Sequence, residues 1–185
     1  MCKVGIWSAP AEANFEKILE KAMLHHGGWE SFIKPGDLVL IKANEFIAAP
    51  ASSGKTTHPA LVLAVAKAAR RAGAGEVIVG DLNDSIFRNF GPYPEIYDYA
   101  KLVNFGDLPH EHMMLPGAQT LKTPVPMPKV VKECDVFINM PGLRTHALPL
   151  FSNAMKNLMG FLSLGSTTQV HMWGVEGSVV DLNAF

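Results

Sequence analysis

Apolar residues gather along this chain in two kinds of block. Leu38-Val39-Leu40-Ile41, Val77-Ile78-Val79 and Val136-Phe137-Ile138 are short runs with no polar interruption. Such runs suit strands buried on both faces of a sheet. Val4-Gly5-Ile6-Trp7 near the N-terminus and Val179-Val180-Asp181-Leu182 near the C-terminus also read as strand-like. The other kind of block has a helical period. Across residues 11–25, Phe15, Ile18, Leu19, Ala22 and Met23 share one helical face, and Gly27-Gly28 stops the helix. Residues 59–72 make a second helix. Pro59 takes its first position, Leu61, Val62, Val65 and Ala66 point inward, Arg70-Arg71 fill the last turn, and Gly73 follows.

The middle of the chain is less regular. Residues 84–94 read as a loop or broken helix, 95–102 as a short helix, and 101–127 as several short strands punctuated by proline. A short helix is expected over 128–134 and another over 150–159. Beyond Gly160 the pattern predicts mostly loop, closing on the strand-like residues 179–182. Buried strands alternating with helices predict an α/β fold, mainly a parallel sheet with helices on both faces. We expect one α/β domain over residues 1–185. Its strand-like ending suggests the first lobe of a longer two-lobed fold, completed by self-association or by a second chain.

Composition narrows the function classes. Of 185 residues, 48% are apolar and only 18% charged, which excludes disorder. Sixteen basic against seventeen acidic residues leave a net charge of −1, too little positive charge for a general nucleic-acid binder. No window approaches 18 uninterrupted apolar residues, so no membrane span is expected. The N-terminus has no signal-peptide pattern. The two cysteines, Cys2 and Cys134, build no disulfide framework and fit a reducing cytoplasm. They also cannot make a four-cysteine iron–sulfur site within one chain.

Parallel sheets bind ligands at the carboxyl ends of their strands. After Ile41 come Lys42, Asn44 and Glu45. After Val79 come Gly80, Asp81 and Asn83. After Ile138 come Asn139, Pro141, Arg144, Thr145 and His146. Polar loop starts are also what any strand end shows, but three such sets together point to a site. Ala49-Pro50-Ala51-Ser52-Ser53-Gly54-Lys55-Thr56 matches a relaxed phosphate-binding loop. Pro59 argues against a nucleotide binder of that type, because it delays the helix start past Lys55-Thr56. Thr57 and His58 could hold an anion at that helix start or simply cap it. In residues 150–160, Asn153, Lys156 and Asn157 share a helical face among apolar neighbours. Lys156 is then either a snorkelling surface lysine or a partly buried one with a lowered pKa. Of seven histidines, His58, His146 and His171 are the better candidates for acid–base work or metal ligation. His110-Glu111-His112 and His25-His26 read as surface, and Cys134 as structural.

Several of these segments are familiar in order. Val39-Leu40-Ile41-Lys42-Ala43-Asn44, Thr56-Thr57-His58-Pro59, Val77-Ile78-Val79-Gly80-Asp81, Asp135-Val136-Phe137-Ile138-Asn139-Met140-Pro141 with Thr145-His146, and Lys156-Asn157-Leu158-Met159-Gly160 resemble the prokaryotic domain of unknown function 362. The resemblance covers about residues 37–183. It implies an association with iron–sulfur proteins, since many members carry a ferredoxin-like segment. The cysteine pattern of that segment is missing here. Ala43 stands where the family often has proline, and Arg144 where it often has lysine. The family also usually continues past residues 181–183. A looser likeness is to lactate-racemase-type enzymes.

The expected function is binding of an anionic small molecule or cofactor, with Lys and His acid–base chemistry. His146, Lys156 and His58 are the candidate catalytic residues. Lys42, Asn44, Thr57, Asn139, Arg144 and Asn157 are the candidate ligand-binding residues. Asp81 and His171 are candidate ligands for a divalent metal. The alternative is a non-catalytic or electron-transfer domain that docks to a ferredoxin-like partner. A nucleotide binder is the third reading.

Overall fold

The computed structural model describes residues 4–10, 13–146 and 150–184. The side chains of His146, Leu164, Gln169 and Trp173 fall outside that description. The strands are β1 (Leu38–Lys42), β2 (Glu76–Asp81), β3 (Lys101–Asn104), β4 (His110–Met113), β5 (Val125–Pro128), β6 (Val136–Asn139), β7 (Arg144–His146) and β8 (Leu150–Ser152). The helices are α1 (Phe15–Leu24), α2 (Pro59–Arg71), α3 (Ser85–Phe90), α4 (Val130–Glu133), α5 (Ala154–Asn157), α6 (Leu164–Trp173) and α7 (Val175–Leu182).

Four strands form a parallel sheet in the order β3-β2-β1-β6. β4–β5 and β7–β8 are separate antiparallel pairs. The chain steps from β1 outward through β2 to β3, then returns to the other side of β1 for β6. That reversal opens a crevice at the carboxyl ends of β1 and β6, where open α/β sheets bind ligands.

The period of two along each strand divides the core in half. Val39, Ile41, Val77, Val79 and Leu102 face α2, with Leu19 of α1 and Trp29 packed behind. Leu40, Ile78 and Val103 face the other way, onto Phe105, Met127, Phe161 and Leu182. Val39, Leu40 and Ile41 are fully buried, as the uninterrupted apolar run predicts. α2 begins at Pro59, and the His58 side chain caps it by accepting from the Ala60 N–H at 3.2 Å.

Several expectations change. Residues 4–7 form no strand and lie outside the sheet. Residues 179–182 belong to α7 and not to a strand; α7 buries Val179 and Leu182, and its Asp181 carboxylate takes main-chain N–H groups from residues 119–121. The loop expected after Gly160 holds both α6 and α7. The helix expected over 150–159 is split: residues 150–152 pair with β7, and only Ala154–Asn157 is α-helical before a 3-10 turn at Leu158–Phe161. The helix expected over 95–102 is a 3-10 turn at Pro94–Asp98 followed by β3. No helix among the described residues is long and apolar enough to cross a membrane.

Candidate functional site

The floor of the crevice is a buried ion pair. Lys42 ends β1 on the face of Leu40, and Asp81 ends β2; they are 0% and 2% exposed. Lys42 Nζ lies 2.7 Å from Asp81 Oδ1. It also donates to the Ala43 carbonyl at 2.5 Å and to Asn157 Oδ1 at 3.5 Å. Removal from water pulls the Lys42 ammonium below the usual lysine range, and Asp81 pulls against that shift. Asp81 further accepts from the Leu82 N–H at 2.7 Å and from the Glu45 N–H. Every charge in the pair is therefore spent inside the protein.

Glycine lets the chain close over this floor. A Cβ at Gly160 would sit 2.7 Å from Asp81 Oδ1 and 2.9 Å from Lys42 Nζ, so only glycine lets the 158–161 turn close over the pair. A side chain at Gly80 would run into the Phe105 ring, which explains the glycine between Val79 and Asp81.

Next to the pair lies Glu45, fully buried. Its Oε2 accepts from Asn89 Nδ2 at 2.5 Å, and its Oε1 has no partner. Burial pushes the Glu45 carboxyl up to about 8; Asn89 opposes the rise, Asp81 adds to it and Lys42 opposes it. Glu45 is thus a neutral acid at pH 7.

Above the floor is a cavity of about 180 Å³, lined by Asn44, Phe46, Asp81, Leu82, Arg144, Ser152, Lys156, Asn157, Met159, Gly160, Thr167 and His171. Two lining cations differ from Lys42. Arg144 Nη1 donates to the Lys55 carbonyl at 2.8 Å, and Nη2 to Asn44 Oδ1 at 3.1 Å, both neutral acceptors. Lys156 is half-buried. Among the described residues, neither cation forms an ion pair with a carboxylate. Burial lowers the Lys156 pKa, and the nearby Arg144 charge lowers it further. Of the two readings left open for Lys156, the structure supports the partly buried one.

The sequence-predicted residues fall into three groups. Lys42, Asn44, Asp81, Arg144, Lys156, Asn157 and His171 meet at the crevice. Thr57 and Asn139 brace it. Thr57 Oγ1 accepts from the Asn44 N–H at 3.0 Å and donates to the Met140 carbonyl at 2.6 Å, tying the ends of β1 and β6. Asn139 Oδ1 accepts from Asn157 Nδ2 at 2.7 Å, and its own amide donates to the Ala154 carbonyl. His58 does not reach the cavity. Its ring packs 5.0 Å from Phe15 and 6.5 Å from Tyr93 while its nitrogen caps α2, the capping alternative left open for it. The His146 side chain lies outside the described residues, though its backbone ends β7.

The metal expectation for Asp81 and His171 finds no support in the geometry. Among the described residues, no three His, Cys, Asp or Glu side chains gather at one point, and Asp81 is engaged by Lys42. His171 is exposed at the cavity wall, with Nδ1 2.8 Å from the Thr167 carbonyl. A carbonyl can only accept, so Nδ1 is the donor in that contact. Glu45, Phe46, Asn89 and Gly160 belong to the site but were not singled out as site residues from the sequence. No spacing signal links Glu45 to Asn89, 44 residues away on α3.

A family model described as "Domain of unknown function (DUF362)" matches residues 39–185. The chain is 31% identical over 137 residues to the thylakoid-associated protein sll1697 of Synechocystis sp. (strain ATCC 27184 / PCC 6803 / Kazusa). That alignment covers 72% of this chain and 42% of the relative, so the chain spans less than half of the relative's length. No solved structure matches.

Proposed function

This chain belongs to the DUF362 family, and we propose that it binds a small organic anion in the cavity over the carboxyl ends of β1 and β2. One observation carries the reading: Arg144 and Lys156 line the same cavity, and neither is paired with a carboxylate among the described residues. Two cations facing one half-enclosed space repel each other, and an anion relieves that cost. The buried Lys42–Asp81 pair below them is already neutralised and competes for nothing.

Cavity size sets the ligand class. About 180 Å³ is slightly more than the roughly 150 Å³ apolar cavity that accepts benzene. A carboxylic acid of about ten non-hydrogen atoms or fewer matches that space. A nucleoside triphosphate does not, and the helix start at Pro59 gives it no phosphate-binding loop. Phe46, Leu82 and Met159 supply apolar wall for the body of the acid. Asn44, Ser152, Asn157 and Thr167 supply neutral hydrogen-bonding groups. Lys156, with its lowered pKa, is the group placed to exchange a proton with such a ligand, and the His171 ring stands at the cavity wall beside it.

The test is calorimetric titration with a panel of small carboxylic acids and their neutral amides. Acids should bind and amides should not. A hydrogen bond to a charged group contributes about 1.5–3 kcal/mol, so Lys156→Ala and Arg144→Ala should each weaken binding about 10- to 150-fold. Affinity should also fall as pH rises through the lowered Lys156 pKa. Equal binding of acid and amide, or unchanged affinity in both variants, overturns the reading.

A second reading rests on the rim. Leu143, just before β7, and Leu150 and Phe151 of β8 are 73%, 80% and 64% exposed. Apolar groups of that size at a pocket mouth fit a contact with a second copy of the chain. Native mass spectrometry reads it directly: a monomer at every concentration refutes it.

A further inference from the structure

Among the described residues the sheet has a bare edge, and the chain has an apolar segment outside the sheet. β6 pairs only with β1 among the described residues. Its outer side, with Met23 and His26 at the end of α1 and with Trp29, Phe32 and Ile33, forms an apolar groove. Trp29 Nε1 in that wall is buried and has no hydrogen-bond partner. The apolar stretch Val4-Gly5-Ile6-Trp7 has no regular structure, with Val4 84% and Ile6 95% exposed. It borders His26, which also lines the groove. The Trp7 ring stands 5.6 Å from the His25 ring, and residues 4–7 surround a hollow shared with His25 and His26.

We propose that residues 4–7 of the same chain add to the free edge of β6 as a fifth, parallel strand. Handedness selects this edge. β1 reaches β2 through α2, and α1 lies on the same face as α2, joined to it by Glu16 to Lys67 and Arg71. A strand outside β6 would reach β1 through α1 by stepping in the same direction over the same face. That connection has the same hand as β1–α2–β2, and parallel crossovers almost always share one hand. The other free edge, outside β3, would require a step in the reverse direction over that face, and so the opposite hand. The added strand gives the outward main-chain groups of β6 a partner. It also covers Val136 and Ile138, which are only half-buried, and offers carbonyl oxygens to the Trp29 indole N–H.

The full chain tests this by amide hydrogen exchange and disulfide trapping. The Val136, Ile138, Gly5 and Trp7 amides should exchange at least about tenfold more slowly than free peptide. Gly5→Pro, which removes a donor, should abolish that protection at Val136 and Ile138 without moving the unfolding midpoint by more than a degree or two. With Cys2 and Cys134 replaced by serine, cysteines at position 4 or 6 paired with 136 or 138 should close under mild oxidation. The product should run as a monomer on a non-reducing denaturing gel. Free-peptide exchange at Gly5 and Trp7 in the unsubstituted chain overturns the proposal. A covalent dimer also overturns it, by assigning the strand to a second copy.

Discussion

Replacing Gly160 with alanine probes how tightly the floor of the crevice is built. An added Cβ falls 2.7 Å from Asp81 Oδ1, 2.7 Å from Lys42 Cε and 2.9 Å from Lys42 Nζ. Comfortable carbon contacts lie near 3.5–4.0 Å, so one partner must retreat by roughly 1 Å. Neither retreats freely. Lys42 is held by Asp81, the Ala43 carbonyl and Asn157, and Asp81 by Lys42 and two main-chain N–H groups. Gly160 has no positive φ, so the backbone accepts alanine and the whole cost is steric. Overpacking costs about 1–3 kcal/mol, and stretching a buried ion pair adds a part of the roughly 3–5 kcal/mol lost when such a pair is broken. We expect a loss of about 2–4 kcal/mol by these two effects together. Each kcal/mol moves the melting temperature of a chain this size by about 2–4 °C. Urea unfolding followed by circular dichroism measures the loss, with Gly165→Ala as the matched control. Gly165 lies in α6 with open space where its Cβ would be, so alanine there should be neutral or add up to about 1 kcal/mol. If Gly160→Ala stays within about 0.5 kcal/mol of the unsubstituted chain, the pair yields without cost and the rigid floor is refuted.

Three further outcomes follow from the same geometry. The Glu45 carboxyl is held well above its ordinary 4.5, at about 8, so the folded chain keeps a proton that the unfolded chain releases. Its stabilisation is full below about pH 4.5 and is lost as pH rises through about 8; urea midpoints should fall over that window, and Glu45→Gln should flatten the fall. Removing one member of the buried pair by Lys42→Met should cost about 3–5 kcal/mol, and adding Asp81→Leu should recover part of it; a double variant less stable than Lys42→Met contradicts the pairing argument. Burial alone would raise the Asp181 pKa, but main-chain N–H donors from Leu121, Gln119 and Thr120 outweigh it and hold the carboxyl low. Its contribution is therefore present above about pH 3.8 and lost below, so Asp181→Asn should be less stable at pH 7 yet show a shallower acid transition.

β1 and β2 were legible because they are buried on both faces, which leaves no polar residue inside the runs around Val39 and Val77; the run around Val136 is as apolar, although β6 lies at the sheet edge and is only partly buried. The helix over residues 59–72 was legible because proline at its start and glycine beyond its end mark both limits. Local patterns failed where partners are distant. Val179 and Leu182 look like a strand in isolation, yet they pack as a helix against Phe161 and Leu121 in the second half of the core. Residues 150–152 satisfy a helical period but pair with β7, since Leu150 takes a positive φ of 63° that no helix continues through. Of the eleven candidate site residues, Lys42, Asn44, Asp81 and Arg144 lie at the crevice because strand ends converge there by topology, while Lys156, Asn157 and His171 are brought to it by α5 and α6. The sequence leaves His58 open between capping and acid–base work because a capping histidine and a catalytic one look alike there, and its ring is found capping α2.

The crevice also carries a consequence for the order of folding. Lys42 and Asn157 are separated by 115 residues, Arg144 and Asn44 by 100, and Lys42 and Asp81 by 39. Contacts of such range carry a loop-closure cost that must be met before they form, and they are made late. β1, α2 and β2 can assemble from neighbours in the sequence, but the pocket does not exist until residues 144–160 return across the finished sheet. A ligand of this site therefore recognises the last-formed part of the molecule. Its binding should slow the opening of residues 144–184 while leaving the exchange of the deepest β1 amides unchanged.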